Sequence, residues 1–254
     1  MLSKAKIKLI NSLKLNKYRR EHKLFLAEGS INVLDFLQSE IQVVELFATA
    51  DWSVKHAEKL ENIEVSIVSQ KEFGKITALK TPSEVLALLA IPEYPEFSLR
   101  KVNDLVLMLD DIKDPGNLGT IIRTADWFGI RQIICSLETV DAYNPKVVQA
   151  SMGSLARVEV HYAGLSNVLK TKPEDLPVFG ALLDGKPLNE MKETKKGIIL
   201  IGSEAHGISE KLIPFIDEKL TIPAFQGTSS AKAESLNASI ATAIICYAFR
   251  NAEK

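Results

Sequence analysis

Short apolar runs recur at regular intervals through the second part of the chain, and this rhythm limits the fold more than any other feature. The runs are four to six residues long, and they lie at 105–109, 132–135, 156–161, 178–182, 197–201 and 219–222. Helix-compatible segments separate most of them. Nearly continuous apolar strands that alternate with helices indicate a parallel sheet with helices on both faces. We therefore predict an α/β domain that binds its ligand where strands lead into loops.

A pair of prolines marks the start of this domain. The segment Ile91-Pro92-Glu93-Tyr94-Pro95 interrupts the preceding apolar pattern, so the sequence predicts one domain over residues 1–95 and a second over 96–254. The first is expected to be a small α/β domain. Its predicted strands lie at 23–27, 43–48, 64–68 and 86–91, and its predicted helices lie at 30–38 (with Ser30 as N-cap), 54–60 and 71–77.

Composition excludes several classes of protein. Of the 254 residues, 46% are hydrophobic and 25% are charged, which excludes a disordered or collagen-like chain. The longest apolar stretches, at 85–91 and 243–249, have seven residues each and are too short to cross a bilayer. Cys135 and Cys246 lie far apart in apolar segments and are expected to be buried and reduced. We expect a cytoplasmic protein without a secretory signal.

The charge is concentrated at the N-terminus. Residues 1–23 contain eight basic residues and one acid, and therefore carry a net charge of +7, whereas the remainder carries −8. Such a segment favours contact with a polyanion such as nucleic acid. The alternative is a solvated amphipathic helix, because apolar residues could form a stripe; they are Ile7, Ile10, Leu13 and Leu15. Both interpretations remain open at this point.

The first of three informative loops leads into a helix. Pro115 and Gly116 end the strand at 105–109, and a helical period begins near Asn117. Its core face is predicted to contain Leu118, Ile121, Ile122, Ala125 and Phe128. Arg123 lies on the opposite face. Asn117 and Arg123 are interpreted either as an N-cap and a solvated arginine or as parts of a ligand site.

The other two loops also follow predicted strands. Gly202 and Gly207 bracket Glu204, and the spacing matches neither a P-loop nor a dinucleotide fingerprint. The third loop runs from Ile222-Pro223 to Glu234-Ser235-Leu236-Asn237, and a helix follows with Leu236, Ile240, Ala243, Ile244 and Tyr247 on one face. Ser235 and Asn237 can cap this helix or position a ligand.

These three loops carry a resemblance. The chain resembles the SpoU/TrmH-type RNA ribose 2′-O-methyltransferases of the SPOUT superfamily. The first motif is similar at residues 110–129, the second at Gly202-Ser203-Glu204 with Gly207, and the third at Ile222-Pro223 with 234–237. Residues 1–95 are similar to the family's small RNA-substrate-binding domain, notably at 25–29 and 81–85.

The resemblance implies a fold, a cofactor and a partner. It implies a trefoil knot in the C-terminal domain, a homodimer, and S-adenosylmethionine (AdoMet) held largely by the backbone of Gly202, Ile222 and Leu236. The positions that match the family's catalytic residues are Asn117, Arg123, Glu204, Ser235 and Asn237. No metal or membrane is implied. The stretch 224–233 is longer than in the family pattern, so its contacts with the cofactor stay open.

The expected reaction is methyl transfer to a ribose hydroxyl of a structured RNA; ribosomal RNA is favoured, and transfer RNA is the alternative. Because arginine stays protonated, Arg123 is expected to bind the adjacent phosphate, while a phosphate oxygen or a nearby group accepts the hydroxyl proton. Asn117 would orient Arg123 or the ribose, and Glu204 would anchor the site rather than act as base. The alternatives are a non-catalytic RNA-binding or ribosome-assembly factor with the same fold, and a nucleotide- or NAD-binding enzyme.

Overall fold

A computed structural model describes residues 2–60, 63–191, 194–225 and 235–251. The helices are α1 (Lys4–Ser12), α2 (Asn16–His22), α3 (Ser30–Leu37), α4 (Ala50–Lys55), α5 (Gln70–Ile76), α6 (Pro115–Trp127), α7 (Pro145–Ser151), α8 (Leu165–Leu169) and α9 (Ala238–Asn251). The strands are β1 (Leu24–Glu28), β2 (Val43–Ala48), β3 (Val65–Ile67), β4 (Val85–Ala90), β5 (Leu105–Leu109), β6 (Gln132–Cys135), β7 (Glu159–Tyr162), β8 (Val178–Pro187), β9 (Gly197–Ile201) and β10 (Glu218–Thr221). Short 3-10 helices lie at Ala57–Lys59, Leu99–Lys101, Ser154–Ala156, Leu188–Glu190 and Glu210–Phe215.

The chain forms two compact units. The first contains Met1–Glu93 and Asp141–Arg157, and the second contains Tyr94–Val140 and Val158–Lys254. The division after Glu93 lies two residues from the boundary predicted by the proline pair. The sequence prediction does not include the return of 141–157 to the first unit. There, α7 packs against β1, and the buried Arg19 donates from Nε to Asp141 Oδ2 at 2.8 Å.

The first unit is a four-stranded mixed sheet with the order β1-β4-β2-β3. The central strand β4 is antiparallel to both of its neighbours, whereas β2 and β3 are parallel. Its core includes Phe47, Phe73 and Leu86, all fully buried.

Two helices of this unit differ from their predicted starts. Gly29, with φ of 85°, occupies the N-cap of α3 in place of Ser30, because the Ser30 hydroxyl accepts from Trp52 Nε1 at 2.7 Å. The helix predicted at 54–60 begins earlier, at Ala50, where the Thr49 side chain caps it.

The basic N-terminal segment is folded into this unit. Ile10 and Leu13 are fully buried, as an amphipathic helix requires, whereas Leu15 is 60% exposed and lies outside the stripe. Four of the eight basic side chains bind partners within this unit. Lys6, Arg19 and Lys23 form ion pairs with Glu45, Asp141 and Glu93, and Lys14 donates to the Thr77 carbonyl. The other four are exposed and have no ion pair within the described residues; they are Lys4, Lys8, Lys17 and Arg20. The amphipathic interpretation is therefore confirmed for α1, and nucleic-acid contact by the remaining cations stays a prediction.

The second unit contains the predicted parallel sheet. Its strand order is β10-β8-β9-β5-β6-β7, with every neighbouring pair parallel. The strands predicted at 105–109, 132–135 and 197–201 have the observed bounds. The strand predicted at 156–161 begins later, at Glu159, because a 3-10 helix occupies Ser154–Ala156. Leu107, Ile133 and Ile198 are fully buried in the sheet.

Two further observations concern membrane-spanning helices and the two cysteines. Among the described residues, no helix combines the length and apolarity needed to span a membrane. Cys135 and Cys246 are both unpaired and buried, which confirms their predicted role as small hydrophobic residues. Burial raises the pKa of both thiols above the ordinary value, and the pKa of Cys246 reaches about 12.

Candidate active site

The topology of the second unit fixes where a ligand can bind. The chain adds strands on one side of β5 and then returns to the other side, so the direction of winding reverses between β5 and β9. In open parallel sheets, ligands bind beyond the carboxyl ends of the strands at such a switch point. The Asp110 amide donates to the Ile201 carbonyl at 2.9 Å and keeps the two strand ends adjacent. The buried Asp110 carboxylate also accepts from the Ser209 amide (2.7 Å) and hydroxyl (2.6 Å).

In the loop after β5, Asp114 caps the next helix, so the side chain of Asn117 is not used as a cap. α6 begins at Pro115 with Asp114 as its N-cap, and Asp114 Oδ1 accepts from the Asn117 amide at 2.8 Å. Of the two interpretations of Asn117, the N-cap is therefore wrong, and the ligand site stays open. Both residues can cap a helix, but Pro115 has no N–H to donate and is favoured at the first helical position, which assigns the cap to Asp114. Asn117 lies in the first turn, and its side-chain amide is available for other partners.

The loop after β9 is a tight turn that presents Glu204. Ser203 and Gly207 exchange two backbone hydrogen bonds, of 3.0 and 2.8 Å. Gly207 has φ of 66°, in the left-handed region that favours glycine. A Cβ atom on Gly202 would lie 2.1 Å from the Gly207 carbonyl carbon, so the turn closes only with glycine at 202. The residue types at 202 and 207 therefore fix the position of Glu204 at the tip of the turn.

Three predicted site residues meet at one carboxylate oxygen. Glu204 Oε1 accepts from Asn117 Nδ2 at 2.8 Å, from Asn237 Nδ2 at 2.6 Å and from the Ala238 amide at 3.1 Å. Asn237 Nδ2 also donates to Asn117 Oδ1 at 2.9 Å. Glu204 Oε2 accepts no hydrogen bond within the described part of the chain. We call Asn117, Glu204 and Asn237 the carboxylate cluster.

Asn237 has two roles in this arrangement. Its Oδ1 accepts from the amides of Ser239 (3.0 Å) and Ile240 (3.3 Å) and from the Ser239 hydroxyl (2.6 Å), and so it caps α9. Its Nδ2 contacts the other members of the carboxylate cluster. Capping and site formation were treated as alternatives in the sequence, but one side chain does both because its oxygen and nitrogen face different partners.

A pocket of about 270 Å³ opens beside the cluster. It is lined by Asp111, Ile112, Lys113, Asp114, Asn117, Ser203, Glu204, Ala205, His206 and Ala238. Sequence reasoning did not assign Asp111, Lys113 or His206 to the site; His206 is an exposed residue of the pocket lining. The acidic pair at 110–111 directly after a buried strand was the available signal. Lys113 Nζ lies 2.5 Å from Asp111 Oδ1, so this pair contributes little net charge to the pocket.

The remaining predicted residues do not line this pocket. Arg123 is exposed on α6 and has no hydrogen bond or ion pair within the described residues. Helix geometry places its Cα about 9 Å along the axis from Asn117 and about 120° around it, which explains the separation. Gly202 and Ile222 are half-buried, whereas Ser235 and Leu236 are exposed. Glu234 and most of the longer stretch at 224–233 lie outside the described residues.

The described residues contain no group of three or more His, Cys, Asp or Glu side chains placed to hold a metal ion.

Comparison with known proteins gives consistent matches. Residues 104–247 match the model of the SpoU rRNA methylase family, and residues 4–87 match an MRM3-like substrate-binding domain. The 23S rRNA (guanosine(2553)-2′-O)-methyltransferase RlmP of Bacillus subtilis is 32% identical over 247 residues, which cover 96% of each chain. A solved TrmH-family structure from Porphyromonas gingivalis is 38% identical, with a TM-score of 0.84 and 99% of both chains covered. An AdoMet-bound rRNA methyltransferase from Sinorhizobium meliloti is 28% identical, with a TM-score of 0.84 and coverage of 99% and 97%.

The turn at 202–207 leads to a stability prediction. Gly202→Ala forces a methyl group against the Gly207 backbone and is expected to lower the free energy of unfolding by about 1–3 kcal/mol. The control is Gly74→Ala in α5, where a Cβ meets no atom within 4 Å and a gain of about 0.5–1 kcal/mol is expected. Urea denaturation followed by circular dichroism measures both. Equal stability of Gly202→Ala and the wild type would contradict the close approach.

Proposed function

The chain belongs to the SpoU rRNA methylase family, and we propose that it is an AdoMet-dependent RNA ribose 2′-O-methyltransferase that acts on ribosomal RNA. The observation that carries the proposal is the carboxylate cluster, which joins all three loops of the family's motifs beside one pocket at the switch point. Ribosomal RNA is preferred to transfer RNA because RlmP, matched over 96% of its length, is named for a 23S rRNA substrate. The trefoil knot and a cytoplasmic location stay predictions.

The residues expected to hold AdoMet fit such a ligand. AdoMet supplies a methyl group bound to a positively charged sulfur. Gly202 directly follows β9 and is half-buried, and its backbone lies close to that of Gly207. Ile222 follows β10, and Leu236 precedes α9, so both lie where the chain leaves regular structure. We propose that backbone groups of Gly202, Ile222 and Leu236 bind the cofactor.

We propose different roles for the residues that match the family's catalytic positions. The guanidinium of Arg123 stays protonated, and its planar fork suits a phosphate next to the target ribose. Asn117 and Asn237 hold Glu204 in one orientation, which reduces the entropy lost when the substrate aligns. Ser235 lies two residues before Asn237 and is proposed to shape the acceptor side of the site.

An exposed apolar surface of the second unit supports the proposal of a homodimer. α6 and α9 run parallel, with Asn117 bonded to Asn237 near their starts and Arg250 Nε donating to the Phe128 carbonyl near their ends. Together they expose an apolar face, which we call the α6–α9 face; it consists of Trp127, Leu236, Ile240, Ile244 and Tyr247. Trp127 is 84% exposed and Tyr247 is 59% exposed. We propose that a second copy of the chain buries this face, and that the exposed Arg123 of one copy serves the pocket of the other.

The first prediction concerns activity. With labelled AdoMet, the wild-type protein is expected to transfer methyl groups to ribosomal RNA, and the product nucleoside is expected to carry them on the ribose 2′-oxygen. Arg123→Ala is expected to abolish turnover while AdoMet affinity by calorimetry stays nearly unchanged. Arg123→Lys is expected to lose at least about 100-fold in rate, because a point charge cannot replace a bidentate fork.

Two results would count against these assignments. RNA binding without methyl transfer by the wild type would favour the non-catalytic RNA-binding factor. Loss of AdoMet affinity in Arg123→Ala would reject the phosphate-binding role of Arg123.

A second prediction concerns the oligomeric state. Ile240→Asp places a charge on the α6–α9 face and is expected to convert the dimer into a monomer in light scattering. Val54→Asp is the matched control, since Val54 is an apolar residue of the first unit that is 78% exposed. A monomeric wild type, or a dimer that Ile240→Asp leaves intact, would reject this interface.

A third prediction concerns the unpaired cations of α1 and α2. We propose that Lys4, Lys8, Lys17 and Arg20 contact RNA phosphates, because internal partners hold the other four basic side chains of this segment. Replacing all four by Gln is expected to weaken RNA binding and to reduce the slope of log K against log [salt] by about 3. The control replaces exposed basic residues of the second unit, namely Lys101, Arg131, Lys170 and Lys195. An equal loss in both variants would reject a specific role for this surface.

A further inference from the structure

The two oxygens of Glu204 have different environments. Oε1 accepts three hydrogen bonds, from two asparagine side chains and one backbone amide, between 2.6 and 3.1 Å. Oε2 accepts none from the described residues, although Glu204 is exposed and lines the pocket. One oxygen is therefore anchored by the protein, and the other is left for a ligand.

The anchor is rigid because each donor is itself fixed. Asn117 lies in the first turn of α6, where Asp114 caps the helix. Asn237 is held by its own capping bonds to α9, and the Ala238 amide belongs to the first turn of that helix. Glu204 is at the tip of a turn closed by two backbone hydrogen bonds. A carboxylate that is held in this way presents its second oxygen in a constant direction.

We propose that Glu204 Oε2 accepts the proton of the ribose 2′-hydroxyl during methyl transfer, which rests on the proposed function. The 2′-oxygen forms its bond to the methyl carbon, the electron pair of the broken carbon–sulfur bond stays on sulfur, and the proton moves to Oε2. Glu204 is then a neutral carboxylic acid, and it returns the proton to water after the product leaves. The expectation that Glu204 only anchors the site is revised: Oε1 anchors it, and Oε2 takes part in the reaction.

Two other carboxylates line the pocket, and they are held differently. Asp114 caps its own helix through Oδ1, and Asp111 pairs with Lys113. Of the three carboxylates, only Glu204 is bonded, within the described residues, to side chains from both of the other loops. The ring of His206 also lines the pocket and has no hydrogen bond within the described residues, so imidazole is the competing proton acceptor. Lys113 and Asn117 can donate but cannot accept a proton in their ordinary states.

The distinguishing variant is Glu204→Gln. Glutamine keeps an oxygen that can accept from Asn117, Asn237 and Ala238, but its nitrogen replaces Oε2 and donates instead of accepting. The single-turnover rate with saturating AdoMet and ribosomal RNA is expected to fall by at least about 100-fold, the usual contribution of a general base. The dissociation constants for AdoMet and RNA, measured by calorimetry and filter binding, are expected to stay near those of the wild type. Glu210→Gln, an exposed glutamate outside the pocket lining, is the matched control with an unchanged rate.

Each other outcome overturns the proposal. A wild-type rate in Glu204→Gln shows that only the anchor matters, and a large loss of AdoMet affinity shows that the residue acts through binding. A larger loss of rate in His206→Gln than in Glu204→Gln reassigns the proton to the imidazole. Absence of methyl transfer by the wild-type protein rejects the proposed function itself and removes the basis of this role. Failure of the proposed function can be distinguished from failure of the Glu204 role, because the wild-type protein alone reveals the first.

Discussion

A single carboxylate oxygen holds the catalytic end of the second unit together. Glu204 Oε1 joins the start of α6, the turn after β9 and the start of α9, which are separated by 87 and 33 residues along the chain. Hydrogen bonds to a charged acceptor are stronger than those between neutral groups, and leaving such donors without their partner is costly. These hydrogen bonds therefore tie together the three loops that line the pocket.

The hydrogen bonds of the carboxylate cluster also show why asparagine and glutamate suit these positions. Asn237 caps α9 through Oδ1 and donates to the carboxylate through Nδ2. Asn117 donates to the carboxylate through Nδ2 and accepts from Asn237 through Oδ1. The anchored glutamate then needs no reorganisation when a substrate arrives, which is the source of much enzymatic rate enhancement. A separate cation, Arg123, lies on another face of α6, outside the pocket lining.

Sequence reasoning predicted element bounds best where hydropathy was the dominant signal. β5, β6 and β9 are short apolar runs buried on both faces, and their bounds followed directly from hydropathy. The sequence left open whether Asn117 caps α6, because Asp114 and Asn117 are both good capping residues one turn apart. The third motif was located correctly, but α9 has two apolar faces, and periodicity cannot show that Phe249 is buried whereas Tyr247 is exposed.

Long-range contacts account for what sequence reasoning did not find. The pairing of Arg19 with Asp141 ties 141–157 to the first unit, and no local pattern marks a partner 122 residues away. The hydrogen bonds of Glu204 were likewise invisible, although the motif that contains it was recognised. Local patterns identify which residues can take part in chemistry, whereas the fold decides which of their atoms are free.

The most direct test is a crystal structure of the protein with S-adenosylhomocysteine and a short ribosomal RNA that contains the target nucleotide. We expect the ribose 2′-oxygen within hydrogen-bond distance of Glu204 Oε2, while Oε1 keeps its bonds to Asn117 and Asn237. A ribose bound elsewhere, or a cluster that separates when the ligands bind, would contradict the account.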